Sequence, residues 1–396
     1  MVRLGRISWT LYRPNGTLLW KMPQPQEELR TPTPRPLAGL RVLEFTGMGP
    51  SPFCSMLLAD LGAEVICICR PDVSSIALCR NRPIVEVDLK STGGRVTALD
   101  LIERVDVLIE GFRPGVMERL RLGPTEVHAR NPSLIYARIT GWGQTGPLAR
   151  TAGHDINYIA LTGALHVSTR ASVAPTPPAN LLGDFAGGGY YAMISILTAI
   201  LERQETRTGK VLDIAIVDGT TYLTSMLHEY RAEGRWSDSA GTNRLDTGAP
   251  FYDVYRCRDG RFLAVGALED KFFAELVDVL GLPADLALTR HDPATWPDLR
   301  ARVAEAVAHR TQAEWVELAG RRDSCLAPVL NLSEAPRHPH MLHREVFRKR
   351  PDQAGWDPQV PLGFRQNPED YRELQQRWKQ SVSPFSPTGN TDRIHQ

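Results

Sequence analysis

Two short stretches in the middle of the chain carry residue types that move protons. Gly153-His154-Asp155-Ile156-Asn157-Tyr158 opens a predicted helix after the glycine-rich loop 141–146, and Asn180-Leu-Leu-Gly183-Asp184 leads into a longer one. This placement predicts His154 and Asp184 in the first turn of their helices, where unpaired N–H groups and the helix dipole favour an anion. Each has a plainer role open to it: Asp184 as an N-cap, His154 as a satisfied structural histidine. The flanking Gly153, Gly183, Gly187, Gly188 and Gly189 weigh the other way, because a cap needs none of them and a ligand approaching the backbone does. Together the two helix starts and their glycines point to a site that takes an anion or a ligand close to the backbone.

The elements that must position these groups alternate between strand and helix from residue 37 onward. Short apolar runs predict strands at 41–45, 64–69, 84–89, 106–109, 134–139 and 211–216, with helices over 53–61, 96–104 and 184–203. That order predicts an α/β fold, a Rossmann-like large domain with a parallel sheet covered by helices on both faces. After residue 220 the style changes. A helix over 220–232 precedes strands at 251–256 and 261–265 joined by Asp259-Gly260, a hairpin signal, and helices follow at 270–279 and 296–308. The expected layout is an N-terminal extension over 1–36, poorly ordered and holding six prolines. The large domain spans 37–220, a linker and small α+β domain 221–335, and a segment returning to the large domain 336–396.

Composition narrows the function further. The chain of 396 residues has 46 Lys and Arg against 45 Asp and Glu, a net charge of +1, which argues against a nucleic-acid or membrane-surface partner held by a global field. No C-x-x-C pair occurs among the six cysteines, so they read as mostly buried thiols of a reducing, cytoplasmic setting. The longest apolar stretch, 190–201, reads as too short to cross a bilayer. The turn Gly47-Met48-Gly49-Pro50-Ser51-Pro52 sits where a dinucleotide fingerprint would, but Pro52 stands at its third glycine, which argues against NAD. In His338-Pro339-His340-Met-Leu-His343, Pro339 separates the first two candidate ligands and no cysteine accompanies them, so a solvated loop is expected and no metal.

The runs AGHDINYIALTGAL, NLLGDFAGGG, GFRPGVMERLRLGP, LIYARITGWGQTGP, LDTGAPFYDVY and AVGALE resemble the α-methylacyl-CoA racemase family, in the family III CoA-transferase (CaiB/BaiF) group. The resemblance covers 37–329 almost without a gap. It implies that His154 and Asp184 are catalytic, that Glu269 pairs with the histidine, and that Asn180 lies in the active site with Tyr252 near the same cavity. It also implies CoA-ester contacts from Arg70, from the segment Glu86-Val87-Asp88-Leu89 at the adenine end, and from Gly153, Asp155, Ile156, Asn157 and Tyr158. Arg80, Arg82 and Arg113 join Arg70 as candidate cations for the CoA phosphates. The family consists of interlocked homodimers, and CoA enters as part of the substrate with no separate cofactor.

The implied reaction interconverts (2R)- and (2S)-2-methylacyl-CoA through an enolate, with helix-start N–H groups around residues 154 and 155 as oxyanion donors. The alternative is a CoA-transferase in which Asp184 attacks a thioester to form a mixed anhydride. His154 separates the two, because a transferase has no use for a second proton carrier. A catalytically silent CoA-binding protein is a third reading, against which His154, Asp184 and Glu269 stand together. Departures from the family pattern fall at Ser51, Thr247 and Ala327, away from His154 and Asp184.

Overall fold

The computed structural model describes residues 10–12, 19–21, 36–70, 78, 82–350 and 355–360. Six strands, β1 (Arg41–Phe45), β2 (Glu64–Cys69), β3 (Ile84–Glu86), β4 (Val107–Glu110), β5 (Ile135–Thr140) and β6 (Lys210–Ala215), form a parallel sheet in the order β3-β2-β1-β4-β5-β6. Phe45 pairs with Ile68 on one side of β1, and Glu44 with Ile109 on the other. The strands run parallel because helical crossovers join them. These include α1 (Pro50–Asp60) after β1, α2 (Thr92–Ile102) after β3, and α3 (Pro124–Arg130) after β4. Between β5 and β6 come α4 (Asp155–Leu161), a π-helical segment (Leu181–Tyr190) and α5 (Tyr191–Thr206).

Apolar residues run almost continuously along the central strands because both sheet faces are covered. Val42, Val107, Ile109, Ile135 and Ala137 pack with Cys54 and Leu58 of α1 and with Ala192, Ile196 and Ala199 of α5. The alternate residues Leu43, Leu108 and Tyr136 are equally buried on the opposite face. This strand order reverses between β1 and β4, so the loops leaving their carboxyl ends part in opposite directions and open a crevice, the usual ligand position of such sheets.

The expected helix over 184–203 differs in form. It begins earlier, as the π-helical turns of Leu181–Tyr190, and continues as α5. The combined 26-residue helix is long and apolar enough to cross a membrane by length and composition, unlike the shorter stretch read from the sequence. The π-helical segment carries the glycines, and these serve helix contacts rather than a ligand's approach. A Cβ at Gly187 would lie 2.2 Å from Thr220 Oγ1, at Gly188 2.8 Å from Pro50 Cβ, and at Gly189 2.5 Å from the Phe53 ring. Phe53 also stacks on Phe185, with centroids 4.6 Å apart.

Helix α6 (Ile216–Leu223) is separated at Thr224 from α7 (Ser225–Ala232), where one helix over 220–232 was expected. Strands β7 (Tyr252–Arg256) and β8 (Phe262–Gly266) form the expected antiparallel hairpin, with Gly260 at φ 79° in its turn. A third strand absent from the sequence reading, β9 (Leu326–Pro328), pairs with the far edge of β8. Helices α8 (Asp270–Leu280), α9 (Trp296–Ala308) and α10 (Gln312–Ala319) build a second core around Phe251, Phe273, Leu276, Val303 and Trp315. Two further strand pairs are antiparallel, Thr10–Tyr12 with Leu19–Lys21 and Phe347–Lys349 with Trp356–Pro358. The order expected for most of 1–36, and the course of the chain beyond 360, lie outside the described residues.

Candidate active site

His154 is the N-cap of α4, in extended conformation, and its side chain is exposed. Its backbone N–H donates to Asn157 Oδ1 at 3.0 Å, so the Asn157 side chain fixes the helix start. Asp184 lies in the first turn of the π-helical segment, half-buried, and Asn180 Nδ2 donates to its Oδ2 at 3.2 Å. The turn after β1 closes over the same carboxylate. A Cβ at Gly49, φ 73°, would come within 2.8 Å of Asp184 Oδ2, so glycine is required both for the conformation and for the approach. Asp184 therefore sits where β1 delivers its loop, at the reversal of strand order.

Burial pushes the Asp184 carboxyl above its ordinary value. Neighbouring Asp155 pushes it the same way, while the Asn180 amide and the charge of His154 act against the rise. His154 is thus close enough for its charge to bear on Asp184. Tyr158 shares this field. Burial first, then Asp184, raise its phenol, and Arg113 opposes them. A carboxyl lifted by burial beside a histidine is the pattern that lets ordinary side chains exchange protons near neutrality.

The other predicted residues divide by what their side chains touch. Arg70 is exposed just past the carboxyl end of β2, and Arg113 is exposed on the loop after β4, so both border the crevice. Arg82 corrects the sequence reading. It is buried, pairs with the equally buried Glu44, and donates to the carbonyls of Leu78 and Pro52, tying the chain before β3 to β1 and α1. It is committed to the core, not to a phosphate. Arg80 lies outside the described residues.

Strand β3 ends at Glu86, earlier than expected; Val87 and Leu89 are buried, and only Glu86 and Asp88 of that segment are exposed. Tyr158 donates from its hydroxyl to Gly153 O at 2.5 Å and meets Trp142 edge-on, so it shapes the loop before α4, and Gly153 packs against both rings. Ile156 is exposed. The Asp155 carboxylate turns inward, to the Asp184 backbone.

Tyr252 and Glu269 belong to the β7–β9 region. Glu269 is the exposed N-cap of α8, and among the described residues its carboxylate has no hydrogen bond or ion pair and no contact with His154. Sequence reasoning missed what holds it. Arg290, fully buried, donates to Leu268 O at 2.5 Å and Glu269 O at 3.1 Å, and lies against the rings of Phe251 and Phe273. No local pattern marks such a residue, since its partners lie about twenty positions away in the sequence. Gly49 was legible as a turn, and its closeness to Asp184 follows only from the strand order.

The sequence pattern of CoA-transferase family III matches residues 37–377. The chain is 43% identical over 312 residues to an alpha-methylacyl-CoA racemase of Mus musculus, covering 78% of this chain and 82% of the relative. It is likewise 43% identical over 315 residues to alpha-methylacyl-CoA racemase of Homo sapiens, with the same shares covered. Among solved structures, Rv3272 from M. tuberculosis aligns with a TM-score of 0.68 at 26% identity, over 84% of this chain and 93% of that one.

Proposed function

This chain belongs to CoA-transferase family III, and from that membership we propose that it is an isomerase, an α-methylacyl-CoA racemase interconverting (2R)- and (2S)-2-methylacyl-CoA thioesters. The observation that carries this reading is the juxtaposition of the two segments: Asp155, next to His154, accepts the N–H of the half-buried Asp184 at 2.6 Å. Removing the α-proton from one face and returning a proton to the other requires two carriers, since one group reaches both faces poorly. His154 serves one face and Asp184 the other, each base in one direction and acid in the reverse.

The electrons released when the α C–H bond breaks move onto the thioester oxygen, and donors must meet that developing charge. The His154 N–H is occupied by Asn157, so the donor we assign is the N–H of Asp155, at the first position of α4. Asn180 orients Asp184, and Arg70 and Arg113 face the CoA phosphates. CoA is part of the substrate, and the reading needs no cofactor.

The finer layout belongs to the same proposal: a large domain over 37–220, a small one over 221–335, and an interlocked homodimer. Because Glu269 and His154 make no contact among the described residues, the dimer is what brings a partner's Glu269 to the histidine. Among the described cysteines Cys54, Cys67, Cys69 and Cys257 are buried thiols and Cys325 an exposed one, as a reducing, cytoplasmic setting would have them. The test supplies one pure epimer of a 2-methylacyl-CoA together with a free carboxylic acid. Conversion towards an even mixture of epimers is expected. CoA transfer to the acid without epimerisation would instead make Asp184 the nucleophile of a transferase.

A further inference from the structure

Asp155 is 6% exposed, directly follows His154, and reaches across to the segment that holds Asp184. Its Oδ2 accepts the Asp184 N–H at 2.6 Å. A Cβ on Gly183 would fall 2.5 Å from that oxygen, so a glycine is needed for the carboxylate to lie there at all. Among the described residues its other oxygen, Oδ1, is buried with no hydrogen-bond partner. A bare buried acceptor lowers stability. An asparagine could accept that N–H through its oxygen and would not leave a bare anionic one behind. The chain nevertheless uses a carboxylate.

We propose that Asp155 is a positioning residue: one oxygen anchors the backbone of the turn that carries Asp184, and the negative charge, left uncompensated at the other oxygen, bears on the Asp184 carboxyl. This rests on the reading of Asp184 as a proton carrier. Asp155 thereby ties the two proton-bearing segments together, since His154 is its neighbour in sequence and Asp184 its partner in space. Burial lifts the Asp155 carboxyl too, while the Asp184 N–H it accepts favours its charged form; in that form it favours protonated Asp184. The groups acting on Asp184 are few. Asp155 and His154 come from α4 and Asn180 from its own segment, while Tyr158 on α4 feels Asp184 in turn. Against the same segment α1 packs Pro50 and Phe53, and α6 packs Ile216 and Thr220, none of them charged. Asp218 on α6 responds to Asp213.

The experiment measures kcat and KM against pH for the full chain and for Asp155→Asn, Asp155→Ala and Asp184→Asn, with a 2-methylacyl-CoA as substrate in both directions. Asp155→Asn keeps the N–H acceptor and removes the charge. Its kcat stays within about tenfold of the parent, and where Asp184 is the base the acid limb of the profile moves to lower pH. Asp155→Ala removes both, and kcat falls about 10²-fold through misplacement of Asp184, with KM little changed. Superimposed profiles for the parent and Asp155→Asn would overturn the proposal even if Asp155→Ala failed to fold. So would a rise in KM alone, which would make Asp155 a ligand contact. Full activity in Asp184→Asn would fell the underlying assignment itself, an outcome distinct from either.

Discussion

In the proposed reaction Asp184 carries opposite demands for folding and for function. Because its folded carboxyl lies above the ordinary value, ionisation is disfavoured in the native state. Stability linked to this group is therefore whole below the unfolded value and is lost as pH rises through the folded one. Asp184→Asn should raise Tm at neutral pH by about 1–3 °C, while racemisation falls by about 10²–10⁴-fold. His154→Ala should show a comparable loss of activity, and both variants should keep most of their affinity for a CoA ester in a binding titration. Arg82 gives the reverse pattern. Removing it strands the buried Glu44, so Arg82→Ala should cost about 3–5 kcal/mol in a urea melt and leave CoA affinity in the surviving folded protein unchanged. The helix-start positions of His154 and Asp184 were legible because their motifs are local and long. Arg82 was misread because its partner Glu44 is 38 positions away, and one arginine looks like another until the sheet brings β1 beside it.

At the scale of elements, the apolar strands were placed to within a residue or two, since parallel strands buried on both faces leave little choice of pattern. Strand β3 is the exception, three residues against the six expected, at the sheet edge where burial alternates. The π-helical turns before α5 were not legible. They depend on α1 and α6 packing into Gly187, Gly188 and Gly189, contacts that exist only once the chain is folded. The loop before β7 holds a second departure with an energetic consequence. Thr247, a β-branched residue, sits at φ 71°, held there while Arg300 donates to the carbonyls of Thr247 at 2.6 Å and Gly248 at 2.7 Å. Thr247→Gly should relieve the strain and stabilise the fold by about 1 kcal/mol, read as a higher urea midpoint at unchanged slope.

For the whole molecule, the strand order sets where chemistry can occur. Reversal between β1 and β4 places the Gly49 turn, Arg70 and Arg113 around one crevice, and Asp184 meets that turn directly. Near-neutral charge argued against a polyanion held by a global field and said nothing of which arginines remain exposed. In the proposed dimer each His154 depends on the Glu269 of the opposite protomer. Co-expressed His154→Ala and Glu269→Gln chains should then form mixed dimers with one intact site, recovering about a quarter of parental activity. No recovery would place both residues in one protomer's site.

The central claim is two-sided proton transfer at the α-carbon by His154 and Asp184, and isotope uptake reads it most directly. Each pure epimer of a 2-methylacyl-CoA is incubated in D₂O with the parent and with each single variant, and deuterium at the α-carbon is followed by mass spectrometry. The parent should incorporate deuterium from both epimers as it interconverts them, and His154→Ala and Asp184→Asn should each lose that interconversion. Interconversion that persists in either variant, or a parent that takes up no α-deuterium from either epimer, would contradict the account.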